Sequence, residues 1–281
     1  MEAAEKICRW NQKPPQAAVR LRDADVEEEL RAEGVELAPG LLLRGARRVV
    51  LGELIHTRAF TERRVVVQDE ASQLVAALLG HGERLLDCCA APGGKAAILA
   101  ARNPGAMVVA SDIHPHRARL IRRLLSGATG NVRVIAADAE SLPLRGGFDR
   151  VLADVPCSGT GTLARNPEIK WRLTPEDLTD LHRRQVAILK GAMDQVRTKG
   201  RVLYSTCSLE SEENADVVNE VLEDSEHFRL CYCRLELERL REEGELAWTD
   251  LDSILDGPFL RTLPGVHPCD GFFAAILERH E

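Results

Sequence analysis

Residues 84–96 read Arg84-Leu85-Leu86-Asp87-Cys88-Cys89-Ala90-Ala91-Pro92-Gly93-Gly94-Lys95-Ala96. The run from Arg84 to Asp87 has the length and apolar character of a short strand, and Ala96 to Ala101 reads as the helix after it. Two glycines just ahead of a helix let the backbone approach a ligand closely. The spacing does not fit G-x-G-x-x-G, which disfavours a dinucleotide oxidoreductase, and it lacks the spacer and Lys-Ser/Thr ending of a P-loop.

Outward from this stretch the chain alternates helices and strands. Upstream, Asp69 is placed to cap a helix through Ala71, Leu74, Val75 and Leu78. Downstream, residues 107–111, 132–136, 148–153 and 201–204 read as strands, with 272–277 as a late one. Helical spacing separates them at 116–125, 178–196 and 212–222, while 231–256 is acidic and carries no clear pattern. Strands alternating with helices predict an α/β domain, a mostly parallel sheet with helices on both faces. Ligands in such a sheet bind at the carboxyl ends of the strands. Asp87, Asp112, Asp138, Asp154 and Cys207 all fall there. Asp112, ending the second strand, is placed to accept bonds from ribose hydroxyls. Together with the glycine loop this points to a nucleoside ligand without a pyrophosphate, a description that S-adenosylmethionine fits.

Two loops after neighbouring strands each carry a cysteine: Asp154-Val155-Pro156-Cys157-Ser158-Gly159-Thr160-Gly161 and Ser205-Thr206-Cys207-Ser208. A thiolate is a potent nucleophile, and a helix N-terminus lowers a thiol's pKa. Ser208 to Asn214 resembles a capped helix start, which would set Cys207 just ahead of a helix dipole. Spacing alone does not rank the two cysteines.

Residues 1–62 differ from the rest. Pro14-Pro15, an acidic helical run ending at Gly34, the turn Pro39-Gly40 and short apolar runs at 41–43 and 49–51 suggest a small α+β module. Arg44, Arg47, Arg48, Arg58, Arg63 and Arg64 form a local basic stretch. The chain as a whole carries a net charge of −7, so any nucleic-acid surface has to be a local patch. With 44% hydrophobic and 29% charged residues, its 281 residues are enough to build a folded core. No apolar run suggests a membrane span or a secretory leader, so the expectation is a cytoplasmic protein with no membrane partner. None of the eight cysteines forms a C-x-x-C pair, and no metal site is expected.

Asp87 to Lys95, Asp154 to Gly159 and Ser205 to Ser208 resemble the motifs of the RNA cytosine-C5 methyltransferases of the Nol/Nop/Sun class, nearest its bacterial 16S rRNA small-subunit methyltransferase B group. The resemblance extends to Val67-Gln68-Asp69-Glu70-Ala71-Ser72, to Arg165-Asn166-Pro167-Glu168-Ile169-Lys170-Trp171 and to Asp270-Gly271-Phe272-Phe273, nearly the whole chain. It implies a Rossmann-like S-adenosylmethionine-dependent methyltransferase with a seven-stranded, mostly parallel sheet over residues 63–281. It further implies that residues 1–62 resemble an RNA-recognition motif. The bacterial rRNA enzymes have an additional N-terminal helical domain that these residues do not match.

Carried over residue by residue, the resemblance implies that Cys89, Ala90, Ala91, Pro92, Gly93, Gly94 and Lys95 surround the methionine part of the cofactor. Asp112 would hold its ribose and Asp138 its adenine side, with Asp154 between cofactor and base. Cys207 would be the nucleophile, and Cys157 would assist product release. RNA, rRNA in preference to tRNA, is the implied partner of a monomer, with Arg47, Arg48, Lys170 and Arg172 as candidate contacts. Ala96 stands where the family commonly has Thr or Ser. A DNA cytosine-C5 methyltransferase would instead make Cys157 the nucleophile. A non-catalytic RNA-binding or ribosome-assembly protein would bind the cofactor without forming an adduct.

Overall fold

The computed structural model describes residues 2–126 and 131–281. Helix α1 (Glu2–Trp10) leads into a small antiparallel sheet of β1 (Ala18–Leu21), β2 (Glu36–Pro39), β3 (Ala46–Leu51) and β4 (Val65–Val67), in the order β2-β3-β1-β4. Between β1 and β2 lies α2 (Val26–Ala32), and between β3 and β4 lies α3 (Arg58–Thr61). Val19 and Val65 pack against Val26, Leu30 and Ala59 to make a core of their own.

Two expectations change here. Residues 41–43 are not a strand, because their three amides donate to one buried carboxylate, Glu70, at 3.0, 2.7 and 2.9 Å. The boundary expected at residue 62 falls inside this unit, since β4 pairs with β1 and completes the sheet.

Helix α4 (Glu70–Leu78) opens the large unit, and the Asp69 side chain caps it by accepting from Ala71 N at 2.8 Å. There follow β5 (Arg84–Asp87), α5 (Gly94–Arg102), β6 (Met107–Asp112), α6 (Pro115–Leu125), β7 (Val132–Ala136) and β8 (Phe148–Asp154). Next come α7 (Ile169–Arg172), α8 (Pro175–Met193), β9 (Val196–Thr206), α9 (Ala215–Glu223), β10 (Phe228–Cys231) and α10 (Cys233–Glu242). The chain closes through β11 (Leu255–Asp256), β12 (Phe259–Thr262) and β13 (Phe272–Arg279). The sheet order is β11-β12-β13-β9-β8-β5-β6-β7, with β10 also on β13.

The expected seven, mostly parallel strands are therefore nine in a mixed sheet. Strands β7, β6, β5, β8 and β9 are parallel. The antiparallel β13 shares its outer edge between β12, paired at residues 272–274, and β10, paired at 276–279. Short edge strands of this kind leave little periodicity to read. The stretch 231–256 contains α10, which buries Cys233, Leu237 and Leu240 against the sheet.

Alternation along the central strands explains the two layers. Leu85, Leu152 and Leu203 face α4, α5 and α10, whereas Leu86, Val151 and Val202 face α8 and α9. Each such side chain contributes about 1.5–3 kcal/mol on burial. Strand order reverses at β5, so the crevice between the carboxyl ends of β5 and β8 is the switch point where this fold places its ligands. No helix among the described residues is long and apolar enough to cross a membrane.

Candidate active site

The loop after β5 turns on Gly93, whose φ of +114° is open to glycine at no cost. A Cβ on Gly94 would lie 3.0 Å from Gln68 Oε1, so this backbone forms a cradle that a side chain would fill. Two cavities border the loop. One, of ≈ 210 Å³, is lined by Cys89, Asp112, Asp138, Asp154, Cys157 and Cys207 among others. The other, of ≈ 110 Å³, is lined by Ala90, Pro92, Gly94, Lys95, Gln68 and Asp87 among others. Cys89, Ala91 and Asp154 border both, while Gly93 borders neither and serves the turn alone.

Each aspartate is held differently. Asp112 accepts from His114 N at 3.0 Å and faces Arg117 at 3.6 Å. Asp138 accepts from Glu140 N at 3.0 Å and caps a short turn. Asp154 is pinned by Lys95 at 2.7 Å and by Ser205 Oγ, which donates at 2.8 Å. Burial opposes the Lys95 ammonium, but Asp154 outweighs it, and Asp87 and the Cys207 sulfur add to the field that holds its pKa above the usual value. Asp87 is buried, no side chain among the described residues hydrogen-bonds its carboxylate, and the Cys89 amide is the backbone group that favours its ionised form. Burial first, and Asp154 second, push its pKa up to about 8.

Parallel pairing sets the two cysteines side by side. Asp154 on β8 lies opposite Ser205 on β9, and the loops beyond them leave the sheet together. Cys157 Sγ and Cys207 Sγ are 3.3 Å apart. The hydrogen bond to Cys207, then burial, holds the Cys157 thiol well above its ordinary pKa, which keeps the proton on Cys157. The neighbouring thiols Cys88 and Cys89 are also pushed up, chiefly by burial, and so are poor nucleophiles.

A buried carboxylate, Glu213, ties these loops together. It accepts from Ser158 N at 2.8 Å, from Ser158 Oγ and from Gln185 Nε2 at 2.9 Å, and Tyr204 donates to its backbone carbonyl at 2.6 Å. Ser208 Oγ lies 3.1 Å from Ser158 Oγ and 3.3 Å from Thr160 Oγ1. Gly161 N donates to the Cys207 carbonyl at 2.9 Å, and Gly271 N donates to the Gly161 carbonyl at 2.9 Å. A Cβ on Gly161 would stand 2.3 Å from the Gly271 carbonyl oxygen, so this crossing admits only glycine.

The expected helix N-terminus at Cys207 is not there. Ser208 Oγ accepts from Glu210 N, and Ser211 to Glu213 form a separate short turn. Helix α9 starts only at Ala215, too far along the chain for its dipole to act on the sulfur. Of the RNA candidates, Arg172 lines a cleft that also touches Cys157, and Lys170 lies two positions before it in α7. Arg47 is instead paired with Glu27 at 2.7 Å, and Arg48 donates to Pro39 O and Gln16 Oε1 at 3.0 and 2.8 Å.

Residues 76–278 match the family model for 16S rRNA methyltransferase RsmB/F. The chain belongs to this family. It is 33% identical over 295 aligned positions to the probable ribosomal RNA small subunit methyltransferase B of Bacillus subtilis, covering 99% of this chain and 63% of that one. It is 35% identical to the ribosomal RNA small subunit methyltransferase B of Vibrio cholerae, over 78% of this chain and 47% of that one. The solved structure of PH0851 superimposes with a TM-score of 0.86 at 27% identity, covering 99% of this chain and 63% of that one. The chain thus spans about half to two thirds of the length of these curated relatives.

As a member of the RsmB/F family, the chain has a Rossmann-like methyltransferase fold, and its matched region runs from within α4 to the penultimate residue of β13, across the large sheet of the described residues. Sequence reading missed Gln68, Glu213 and Arg184, the last of which borders both the larger cavity and the neighbouring cleft. Glu213 sits in an acidic run that reads as an exposed helix start. Arg184 is one of several cations on α8, and no local pattern singles it out.

Proposed function

We propose that this chain transfers a methyl group from S-adenosylmethionine to C5 of a cytosine in RNA, in rRNA rather than tRNA, and that it works in the cytoplasm where that RNA is made. The observation that carries this is the pair of thiols, 3.3 Å apart, on the wall of a cavity otherwise rich in carboxylates. The residues fit the cofactor: Gly94 leaves a cradle at the loop that a side chain would fill, and Asp112 and Asp138 stand at or just beyond the ends of β6 and β7, on the wall of the larger cavity. When bound, S-adenosylmethionine supplies the methyl group as an electrophile.

Cytosine C5 is a poor nucleophile. The Cys207 thiolate attacks C6, an S–C6 bond forms, and the displaced π electrons make C5 electron-rich enough to take the methyl group. Asp154, positioned by Lys95 and Ser205, shares a proton with N3 and stabilises the charge developing on the ring. A base takes the C5 proton, the C5–C6 double bond re-forms, the S–C6 bond breaks with its electron pair leaving on Cys207, and Asp154 recovers the proton from N3. Cys157, kept as a thiol, assists that elimination. The base has to leave its stack to reach the cavity. The order β2-β3-β1-β4, with α2 and α3 as its crossovers, supports reading the N-terminal unit as an RNA-recognition-motif-like module.

RNA carrying 5-fluorocytosine tests the reading, because without a C5 proton the elimination stops after methyl transfer. With S-adenosylmethionine, the wild type is expected to give a protein–RNA species that survives a denaturing gel, and Cys207→Ala none. An adduct from Cys207→Ala but not from Cys157→Ala would reverse the roles of the two cysteines.

A further inference from the structure

Beside the thiols lies a cleft of ≈ 410 Å³ whose walls include Cys157, Ser158, Ile169, Arg172, Leu181 and Arg184. One wall is the short helix α7. Its Ile169 is buried, and a Cβ built on Gly159 would lie 3.1 Å from Ile169 Cδ1, so Ile169 anchors the helix over the loop that carries Cys157. Two positions on, Trp171 is 89% exposed. Tryptophan is usually well buried, and leaving its ring in water forfeits its large apolar area for no gain in folding. The Trp171 amide bonds only within its own turn, to Glu168 O at 3.1 Å, and its indole enters no hydrogen bond or ring contact among the described residues.

The charges around it are arranged unequally. Asp177 is committed to Thr174 in a capping box, and Asp180 to Arg183 at 2.7 Å. Lys170, Arg172 and Arg184 have no ion-pair partner among the described residues. A bare indole between uncommitted cations, beside a cleft that ends on the Cys157 thiol, matches the chemistry of a single-stranded nucleic acid: a π face to stack on and phosphates to hold.

We propose that Trp171 is the stacking platform for an unpaired base adjacent to the cytosine that enters the cleft, with Lys170, Arg172 and Arg184 on the flanking phosphates. The proposal rests on the RNA-methylation reading and adds to it the residue that replaces the stacking lost when the target base leaves its neighbours.

A short single-stranded oligoribonucleotide with one cytosine, the same sequence as a duplex, and S-adenosylmethionine alone are the probes, each titrated into the wild type, Trp171→Ala and Trp171→Phe. The wild type is expected to prefer the single strand, with quenching of its tryptophan emission. Trp171→Ala should bind the single strand about 5- to 150-fold more weakly, the range for removing one base–aromatic stack. Its salt dependence and its affinity for S-adenosylmethionine should be unchanged. Trp171→Phe should keep most of the affinity and lose most of the quenching. Arg172→Gln should instead lower the slope of log affinity against log salt by about 1.

Equal single-strand affinity in Trp171→Ala and wild type would overturn the proposal, as would a loss of cofactor affinity that reveals a structural role. A Trp171→Ala variant impaired only toward protein-containing ribosomal particles would overturn it in favour of a protein contact. If the wild type forms no adduct with 5-fluorocytosine RNA, the methylation reading fails as well. An adduct in the wild type with unchanged binding in Trp171→Ala removes this inference alone.

Discussion

The N-terminal module and the cleft beside Cys157 both carry clusters of arginine, and they use them in opposite ways. In the module, Arg47 pairs with Glu27, Arg64 with Glu29 and Glu62, and Arg58 with Glu62, while Arg63 donates to the Arg123 carbonyl. At the cleft, Arg172 and Arg184 have no such partner among the described residues. Charges satisfied inside the chain hold its shape. Charges left unsatisfied beside a cavity are free to meet a ligand, so the basic stretch most visible in the sequence is not the one best placed to bind.

The sharpest test of this contrast lies at the thiols. Cys157→Ala should still attack ordinary RNA and transfer the methyl group, but release should slow by roughly 10²–10⁴-fold, the usual worth of a positioned proton donor or acceptor. A covalent species should then accumulate, visible on a denaturing gel. Rapid turnover with no accumulated adduct would show that the 3.3 Å sulfur–sulfur approach has no part in release.

Asp87 offers the next largest effect. Its pKa is raised from 3.8 in the unfolded chain to about 8 in the folded protein, so its neutral form favours folding. That contribution is complete below about pH 4 and is lost as pH rises through about 8. Asp87→Asn, neutral at every pH, should therefore match the ligand-free wild type near pH 4. It should exceed it near pH 8 by on the order of a few kcal/mol. Urea unfolding at the two pH values measures the difference. An equal gain or loss at both would mean that Asp87 is already paired in solution.

The smallest effect compares the arginines directly. Reversing Arg172 and Arg184 to Glu should weaken RNA binding and flatten its salt dependence, by about 0.9 in slope for each phosphate that is no longer neutralised. Arg47→Gln should leave RNA affinity unchanged and cost about 0–1 kcal/mol of stability, as expected for a partly exposed ion pair. If instead Arg47→Gln weakens RNA binding and the cleft reversal does not, the module and the cleft exchange roles.

Much of this site is legible in the sequence because apolar runs stop at polar residues. Asp87, Asp112 and Asp154 each end a strand, and Cys157 and Cys207 follow in the next few positions. Glu70 and Glu213 are not legible in the same way. An acid at the head of a helical run reads as a solvated first-turn residue. Only the tertiary fold brings the amides of residues 41–43 onto Glu70, and Ser158 onto Glu213. The missing helix dipole at Cys207 has a related cause. The Ser208 and Asn214 side chains bond within their own loop rather than starting α9, so a sequence with the composition of a cap folds as an irregular turn. Strands β10 to β12 are too short to leave a period of two, which is why the outer edge of the sheet is not foreseen.

The crossing of Gly161 and Gly271 bears on how such a site tolerates mutation. The Cys207 carbonyl is fixed by Gly161 N, and the Gly161 carbonyl by Gly271 N, so Cys207 is placed by main chain against main chain. The side chains of Ser158, Ser208 and Glu213 brace the same loops, but the crossing itself leaves no room for a Cβ at Gly161 or Gly271. Part of what fixes the Cys207 sulfur therefore lies in two residues with no functional group, one of them far away in the chain, where a scan for reactive side chains would not look.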